Sequence, residues 1–246
     1  MNRPELSVIV PVYNGCSSLP RLYEELCEAL QDVEHELIFV DDASTDGSLA
    51  LLRELAGADA RVTVLALRAN RGQQESTLCG MAAAKGRYLA NLDDDGQHPP
   101  ACLLPMLHCL RDHDLEIVYG LPITGDRKLV RQGGSTLRDL LFYLFFPYSR
   151  GVKVSSFRVM TAGLFQRVLA QRQEVFYFSA SVFEQPVRAG NLPYPHRPRQ
   201  EGRSGYGLSK LAALYFNIIR HYALDCRKPG TAAPVPLPIG ELIHHG

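Results

Sequence analysis

The sequence predicts an α/β fold, a mostly parallel sheet flanked by helices with a smaller extension after it. Two observations support this prediction. Apolar runs rich in β-branched residues recur through the first 120 residues, and segments with helical periodicity separate them. Strands that alternate with helices in this way form βαβ units, whose crossover connections make the strands parallel.

The first half contains five predicted strands and three predicted helices. Residues 6–12 form a continuous apolar run that is typical of a buried central strand. Ser17 or Ser18 can cap the next helix, on which four leucines share one face: Leu19, Leu22, Leu26 and Leu30. The other elements are, in order, strand 37–40, helix 49–55, strand 62–67, helix 70–85, strand 88–92 and strand 115–119.

The second half is less regular. Its predicted elements are helix 135–146, strand 154–160, helices 162–172 and 181–189, and an amphipathic helix 208–222. Prolines at 191–200 favour an extended edge or a loop over a helix. The tail at 228–246 is rich in proline, and we expect it to be frayed.

The composition of the chain excludes a disordered protein, and its charge distribution indicates what kind of partner it binds. The chain of 246 residues is 46% hydrophobic and 21% charged, so it is globular rather than disordered and buries a sizeable core. Net charge is zero, but residues 126–153 hold six Lys/Arg against two acids, and residues 196–228 hold seven against two. This asymmetry favours a partner that carries phosphate, such as a ligand, a lipid headgroup or an anionic membrane surface. We expect no nucleic-acid partner.

The cysteines and apolar runs bear on location. The six cysteines include no C-x-x-C pair and no zinc spacing, and the N-terminus has no signal-peptide profile. The longest dense apolar run, 140–146, is far shorter than the ~20 residues of a membrane-spanning helix. We therefore expect a cytoplasmic protein that is at most peripheral on the inner face of the plasma membrane, with homo-oligomerisation left open.

Three adjacent carboxylates, Asp93, Asp94 and Asp95, directly follow the predicted strand 88–92. Ligands of open α/β sheets bind at the carboxyl ends of the strands, where this turn would lie. Mg²⁺ or Mn²⁺, which prefers oxygen ligands and takes one or two carboxylates plus substrate phosphates, would relieve the repulsion among the three acids. On these three residues alone, a solvated acidic turn is an equal alternative.

Two further groups would lie on the same edge. Asp41 and Asp42 end the second predicted strand, and Asn70 and Arg71 follow the third. Carboxylates accept hydrogen bonds from a base or ribose, and an arginine reaches base or phosphate. Any single one of these residues could be a helix cap instead, but together they predict a nucleotide site.

Four motifs give the chain a specific resemblance. They are residues 7–14 (SVIVPVYN), 40–47 (VDDASTDG), 70–72 (NRG) and 92–100 (LDDDGQHPP). In this order and spacing they resemble the signature of the family 2 glycosyltransferases. The resemblance implies a GT-A, Rossmann-like fold, a nucleotide-sugar donor and Mg²⁺ or Mn²⁺. It also implies a donor-binding half at 1–120 and an acceptor-side, membrane-surface half at 121–227, before the tail at 228–246.

The resemblance implies roles for individual residues. Asp93 and Asp95 would bind the metal-diphosphate. The nucleotide-sugar would contact Pro11, Tyr13, Asn14, Asp41, Asp42, Arg71, Gly72, Asp93, Asp94 and Gln97.

Within the family, the chain is similar to the enzymes that transfer a sugar to polyprenyl or dolichyl phosphate. The similarity rests on residues 97–100 (QHPP), residues 156–160 (SFRVM), and an R-x-x-G-x-S-x-Y pattern at 199–206. It implies that phosphate or acceptor is bound by Arg127, Arg131, Arg158, Arg197, Arg199, Arg203 and Ser204. Arg127, Lys128 and Arg131 precede an apolar helix and could seat the protein on anionic lipid.

The chain departs from these relatives in two ways. Many of them carry an aspartate, proposed as catalytic base, where this chain has Ser156, and many have C-terminal membrane helices that it lacks. The predicted reaction is a direct displacement with inversion through an oxocarbenium-like transition state. Candidate catalytic residues are Asp94, Asp95 and Glu184; Asp94 or Glu184 would assist a hydroxyl acceptor.

Two alternatives remain. The same chemistry could use a soluble acceptor, such as a natural product or a surface glycan, which Ser156 and the missing membrane helices favour. A non-catalytic nucleotide-sugar-binding scaffold is the other, although the complete set of acids argues against it. A Rossmann dehydrogenase is excluded because no G-x-G-x-x-G follows the first strand.

Overall fold

The computed structural model describes residues 3–123, 147–149, 151–172, 176–195, 197 and 241–243. Its strands are β1 (Leu6–Val12), β2 (His35–Asp41), β3 (Val62–Ala66), β4 (Tyr88–Asn91), β5 (Ile117–Ile123), β6 (Arg158–Thr161), β7 (Ala189–Pro195) and β8 (Glu241–Ile243). Its α-helices are α1 (Leu19–Ala29), α2 (Ser48–Ala58), α3 (Gln73–Ala83), α4 (Leu103–Asp112), α5 (Ala162–Ala170) and α6 (Phe178–Val182). Short 3₁₀ turns lie at Pro100–Cys102 and Pro147–Ser149.

All of these strands join one mixed sheet in the order β7-β5-β6-β4-β1-β2-β3-β8. The four central strands are mutually parallel, with β1 between β2 and β4, and β5 is parallel to β7. Strand β6 is antiparallel to both β4 and β5, and β8 is antiparallel to β3. The mostly parallel α/β sheet that the sequence predicts is therefore confirmed.

The sheet is covered by helices on both faces, which explains why its central strands are apolar throughout. Val8 and Val10 of β1 pack with α1, α2 and α4, whereas Ile9 between them packs with α3, α5 and α6. Successive strand residues point to opposite faces, so β1 is buried at every position. Each such aliphatic side chain stabilises the fold by about 1.5–3 kcal/mol.

The carboxyl ends of the central strands meet at one edge. Val12, Asp41, Ala66 and Asn91 end β1 to β4, and the loops that follow them lie side by side. Because β6 runs the opposite way, it begins at this edge, and its first residue, Arg158, pairs with Asn91. This arrangement brings a segment from the second half of the chain to the predicted site.

Several predicted elements have other bounds. Predicted helix 181–189 is wrong: α6 ends at Val182, and β7 begins at Ala189. Pro186, which removes a backbone donor, lies between them. Strand β6 begins at Arg158 rather than at residue 154, whereas the extended edge expected from 191 is confirmed up to Pro195.

Helix α4 was not predicted. It buries Leu103, Met106, Leu107 and Leu110 at helical spacing and follows the 3₁₀ turn Pro100–Cys102. The frayed tail is wrong for Glu241–Ile243, which forms β8 along the edge of β3. Predicted helices 135–146 and 208–222 lie outside the described residues. Within the described ranges, no helix has both the length and the apolar character needed to cross a membrane.

Candidate active site

Asp42 holds the loop that precedes α3. Its two carboxylate oxygens accept the backbone N–H groups of Arg71, at 2.7 Å, and Gly72, at 2.8 Å. Gly72 has a φ of 86°, which only glycine adopts without strain. Asp42 is 3% exposed and each of its oxygens accepts one backbone N–H group, so it fixes this turn.

Asp41, one residue earlier, is in a different environment. Its Oδ2 accepts the backbone N–H of Ser44 at 3.2 Å. Its Oδ1 is buried and has no hydrogen-bond partner among the described residues. A buried carboxylate oxygen without a donor costs about 1–3 kcal/mol or more. The atom is therefore suited to accept a hydrogen bond from a ligand.

The loop after β1 presents one open aromatic ring. Tyr13 is 50% exposed. Asn14, with a φ of 54°, donates its backbone N–H to Ser44 Oγ at 3.0 Å, and its Oδ1 accepts the backbone N–H of Thr45 at 2.8 Å. Asn14 thus ties the loops after β1 and β2 together. Of the other predicted donor contacts, Pro11 is buried within β1, whereas the Arg71 side chain is exposed.

The carboxylate turn follows β4 and is half-buried. Asp93 Oδ1 accepts a hydrogen bond from Gln73 Nε2, and its Oδ2 accepts one from Ser156 Oγ at 3.3 Å. Asp95 Oδ1 accepts the backbone N–H of Gln97 at 3.0 Å. The Asp94 carboxylate accepts from the backbone of Tyr13. It lies so close to Gly15 that a Cβ there would overlap Asp94 Oδ2.

The turn concentrates negative charge in a confined space. Burial raises the pKa of Asp93, and the charge of Asp95 raises it further. Burial also raises the pKa of Asp94 to about 7, with added contributions from Asp93 and Asp95. No group of three or more His, Cys, Asp or Glu side chains within the described ranges is arranged to hold a metal ion. Asp93 and Asp95 offer carboxylate oxygens, the type of donor that Mg²⁺ and Mn²⁺ prefer when substrate phosphates complete their ligands.

The side chain of His98 supports the carboxylate turn, a role that was not predicted from the sequence. The backbone N–H of Asp93 donates to His98 Nδ1 at 3.0 Å, so the imidazole is neutral with its proton on Nε2. The 3.8 Å approach of Nδ1 to Asp93 Oδ2 is therefore not an ion pair. The ring stacks on Phe157 at 4.9 Å and meets Tyr194 edge-on at 6.3 Å. The QHPP pattern carried the only signal for this role.

Arg158 is interior, unlike the phosphate-binding residue that the resemblance implies. It is 6% exposed; Nε donates to Asn91 Oδ1 at 2.8 Å and Nη1 donates to Ser179 Oγ at 3.4 Å. Its guanidinium carbon lies 4.2 Å from the centroid of the Phe178 ring. These contacts use two of its three guanidinium nitrogens and hold the side chain in the interior between β4 and α6.

The remaining predicted residues are distributed as follows. Arg197 Nη1 donates to Glu25 Oε2 of α1 at 2.7 Å. Glu184 is exposed on the turn after α6, and Asp94 is half-buried in the carboxylate turn. Residues 127, 131, 199, 203 and 204 lie outside the described ranges.

The sequence matches a family model and is similar to known proteins. The model of the family described as "Glycosyl transferase family 2" matches residues 7–172. The chain is 29% identical, over 223 residues, to undecaprenyl-phosphate 4-deoxy-4-formamido-L-arabinose transferase of Pseudomonas fluorescens, covering 87% of this chain and 64% of that protein. It is 28% identical to dodecaprenyl-phosphate galacturonate synthase of Rhizobium johnstonii, covering 87% and 65%. The chain thus spans slightly under two thirds of the length of these relatives.

Solved structures of other proteins have the same fold as this chain. Glucosyl-3-phosphoglycerate synthase from Mycobacterium tuberculosis, in complex with Mn²⁺, uridine diphosphate and phosphoglyceric acid, superposes with a TM-score of 0.65 at 17% identity. The alignment covers 93% of this chain and 80% of that one. S. aureus TarS 1–349 in complex with UDP-GlcNAc gives a TM-score of 0.59 at 18% identity, covering 87% and 66%. At these identities the similarity shows the GT-A fold alone.

Proposed function

Because the chain belongs to glycosyl transferase family 2, we propose that it transfers a sugar from a nucleotide-sugar to a polyprenyl phosphate. The observation that supports a nucleotide-sugar best is Asp41 Oδ1, which has no hydrogen-bond partner among the described residues and lies on the same sheet edge as the carboxylate turn. Strands β2 and β4 flank β1, so the two groups lie about 10 Å apart across it. That separation suits a nucleoside at one end and a diphosphate at the other.

The nucleoside end combines a buried acceptor with an exposed ring. Asp41 Oδ1 accepts an N–H of the base, and Tyr13 offers a face for stacking. Uracil presents such an N–H, and the two structures compared above were solved with uridine nucleotides. We therefore favour a uridine diphosphate sugar as donor.

The diphosphate end requires a counter-charge. Asp93 and Asp95 would hold Mg²⁺ or Mn²⁺ together with the diphosphate; when bound, the cation neutralises the charge that develops on the departing nucleoside diphosphate. Gln73 and Ser156 each donate to Asp93, and these hydrogen bonds hold its carboxylate in place and favour its ionised form. Gly15 leaves the space in which Asp94 sits.

A phosphate acceptor fits the position of Ser156. The Ser156 hydroxyl donates to Asp93 and is not a base at neutral pH. A phosphate monoester carries between one and two negative charges near neutral pH, so it can attack the anomeric carbon without deprotonation by the enzyme. Both relatives described above are named for acting on prenyl phosphates. Attack opposite the leaving group inverts the anomeric centre.

We place the reaction at the cytoplasmic face of a membrane, where the chain lies peripherally. Residues 126–153 and 196–228, the two basic regions of the second half, would contact the phosphate of the acceptor and anionic lipid.

The test is transfer of radiolabel from a panel of UDP- and GDP-sugars to undecaprenyl phosphate in detergent, with Mn²⁺ or with chelator. We expect one UDP-sugar to label the lipid only with metal, and Asp95→Asn to lose this activity. Asp32→Asn, which changes an exposed carboxylate, is the matched control. Labelling of water-soluble phosphate esters but not of the lipid would favour the soluble-acceptor alternative. Binding of UDP without turnover of any donor would favour a scaffold.

A further inference from the structure

A chain of hydrogen bonds connects the buried interior to Asp93. Asn91, the last residue of β4, is 2% exposed and pairs with Arg158 in the antiparallel register. Both ends of its side-chain amide form hydrogen bonds. Oδ1 accepts one from Arg158 Nε at 2.8 Å, and Nδ2 donates one to the carbonyl of Ser156 at 2.5 Å. Ser156 Oγ then donates to Asp93 Oδ2 at 3.3 Å.

Arg158 has an unusual environment for a charged residue. Burial of a guanidinium is costly unless another charge or several hydrogen bonds compensate it. Its contacts in the described structure are the Asn91 amide, the Ser179 hydroxyl and the Phe178 ring, and none of the ion pairs found there includes it. Burial lowers the pKa of Arg158, and Tyr119, Tyr177 and Asp93 oppose this effect in decreasing order. Through Asn91 and Ser156, hydrogen bonds link the buried guanidinium to Asp93.

We propose that Arg158, Asn91 and Ser156 form a positioning unit that holds Asp93 in the orientation in which it binds the cation of the donor complex. This inference rests on the proposed function. In this assignment the three side chains act through Asp93 rather than on the sugar or the cation. Arg158 fixes the Asn91 amide, Asn91 fixes the Ser156 carbonyl, and the Ser156 hydroxyl restrains one oxygen of Asp93, while Gln73 from α3 restrains the other.

The unit explains why a donor, rather than an acid, suits position 156. A carboxylate there would face Asp93 Oδ2 at hydrogen-bond distance with the same charge. Two carboxylates so close repel each other unless one is protonated or both bind a cation. A hydroxyl stabilises the ionised form of Asp93 instead. In this chain position 156 thus serves the metal carboxylate and not the acceptor.

The experiment measures Mn²⁺ binding in the presence of UDP, by the electron paramagnetic resonance signal of free Mn²⁺, and separately the KM for donor and kcat. Loss of one such hydrogen bond weakens binding by about 2- to 10-fold. We expect Ser156→Ala to raise the Mn²⁺ Kd and the donor KM by this factor with little change in kcat. Ser156→Thr, which keeps the hydroxyl, should restore both.

Asn91→Asp tests the inner link of the unit. It retains an acceptor for Arg158 but removes the donor to the Ser156 carbonyl, so Mn²⁺ affinity should fall while the melting temperature without metal does not. Ser155→Ala is the matched control, because that hydroxyl accepts the backbone N–H of Phe157, at 3.2 Å, and makes no contact with Asp93 in the described structure.

Different outcomes would contradict the positioning unit and the proposed function. Unchanged Mn²⁺ affinity in Ser156→Ala or in Asn91→Asp, or a failure of Ser156→Thr to restore it, overturns the positioning unit. If the unmodified protein binds no Mn²⁺ with UDP, the proposed function itself fails.

Discussion

Asp41 and Asp42 are adjacent and chemically identical, yet the structure predicts opposite effects when each is replaced by asparagine. Asp42 accepts two backbone N–H groups at 2.7 and 2.8 Å, whereas Asp41 Oδ1 is buried without a partner among the described residues. We expect Asp42→Asn to destabilise the fold and to leave a weakened site. Asp41→Asn should leave stability equal or higher and abolish donor binding.

The magnitudes follow from the contacts. In Asp42→Asn, one amide N–H faces a backbone N–H, so a hydrogen bond to a charged group, worth about 1.5–3 kcal/mol, is lost. In a chain of this length each kcal/mol corresponds to a Tm change of about 2–4 °C, so the Tm should fall by roughly 5–10 °C. In Asp41→Asn, the variant loses a buried, incompletely paired charge, and this change does not lower the Tm.

Thermal unfolding with and without UDP and Mn²⁺ measures both effects. A ligand at 100 times its Kd adds about 2.7 kcal/mol, which raises the Tm by roughly 5–10 °C. Unmodified protein and the exposed-site control Asp32→Asn should show this increase, and Asp41→Asn should not. Equal loss of Tm in the two variants, or a full ligand-induced increase in Asp41→Asn, would refute the assignment of Asp41 to the donor and Asp42 to the turn.

Three further predictions follow from single contacts. Gly15→Ala places a Cβ against the Asp94 carboxylate, so the donor KM should rise at least 10-fold; an unchanged KM would contradict this packing. Gly57→Ala, in α2 with no atom within 4 Å of the new Cβ, should stabilise the protein by about 0.5–1 kcal/mol in urea unfolding and leave the KM unchanged. Burial, and secondarily the charge of Arg61, lower the pKa of His35 in the folded state. The unfolded chain then binds the proton first, so unfolding free energy should decline as the pH falls below about 6.5. His35→Gln should remove that part of the decline, and an identical pH dependence in the variant would exclude His35 as its source.

Sequence alone predicted which residues reach this edge of the sheet because the information for that placement is local. A continuous apolar run predicts a buried parallel strand, and parallel strands must place their carboxyl ends at one edge. The Asp41–Asp42 pair, Arg71 and the Asp93–Asp95 turn each follow such a run, so their proximity follows from topology. Four motifs in order were sufficient to identify the family.

The periodicity of apolar residues could not predict elements whose structure depends on partners distant in the chain. Strand β8, only three residues long, exists because β3 offers a free edge, and nothing in its own sequence distinguishes it from the rest of a proline-rich tail. Predicted helix 181–189 followed the apolar residues at its start, whereas Pro186 and the pairing of β7 with β5 decided the outcome.

The assignment of individual side chains was decided only by the tertiary structure. Nothing local distinguishes Asp41 from Asp42, but the backbone N–H groups of Arg71 and Gly72 bind both oxygens of Asp42, whereas one buried oxygen of Asp41 has no partner among the described residues. Arg158 looks in sequence like an anion-binding residue, yet Asn91, 67 residues earlier, holds it inside. Composition and spacing determine which residues reach the edge of the sheet. Which of them remain available to a ligand depends on hydrogen-bond partners that become neighbours only when the strands pair.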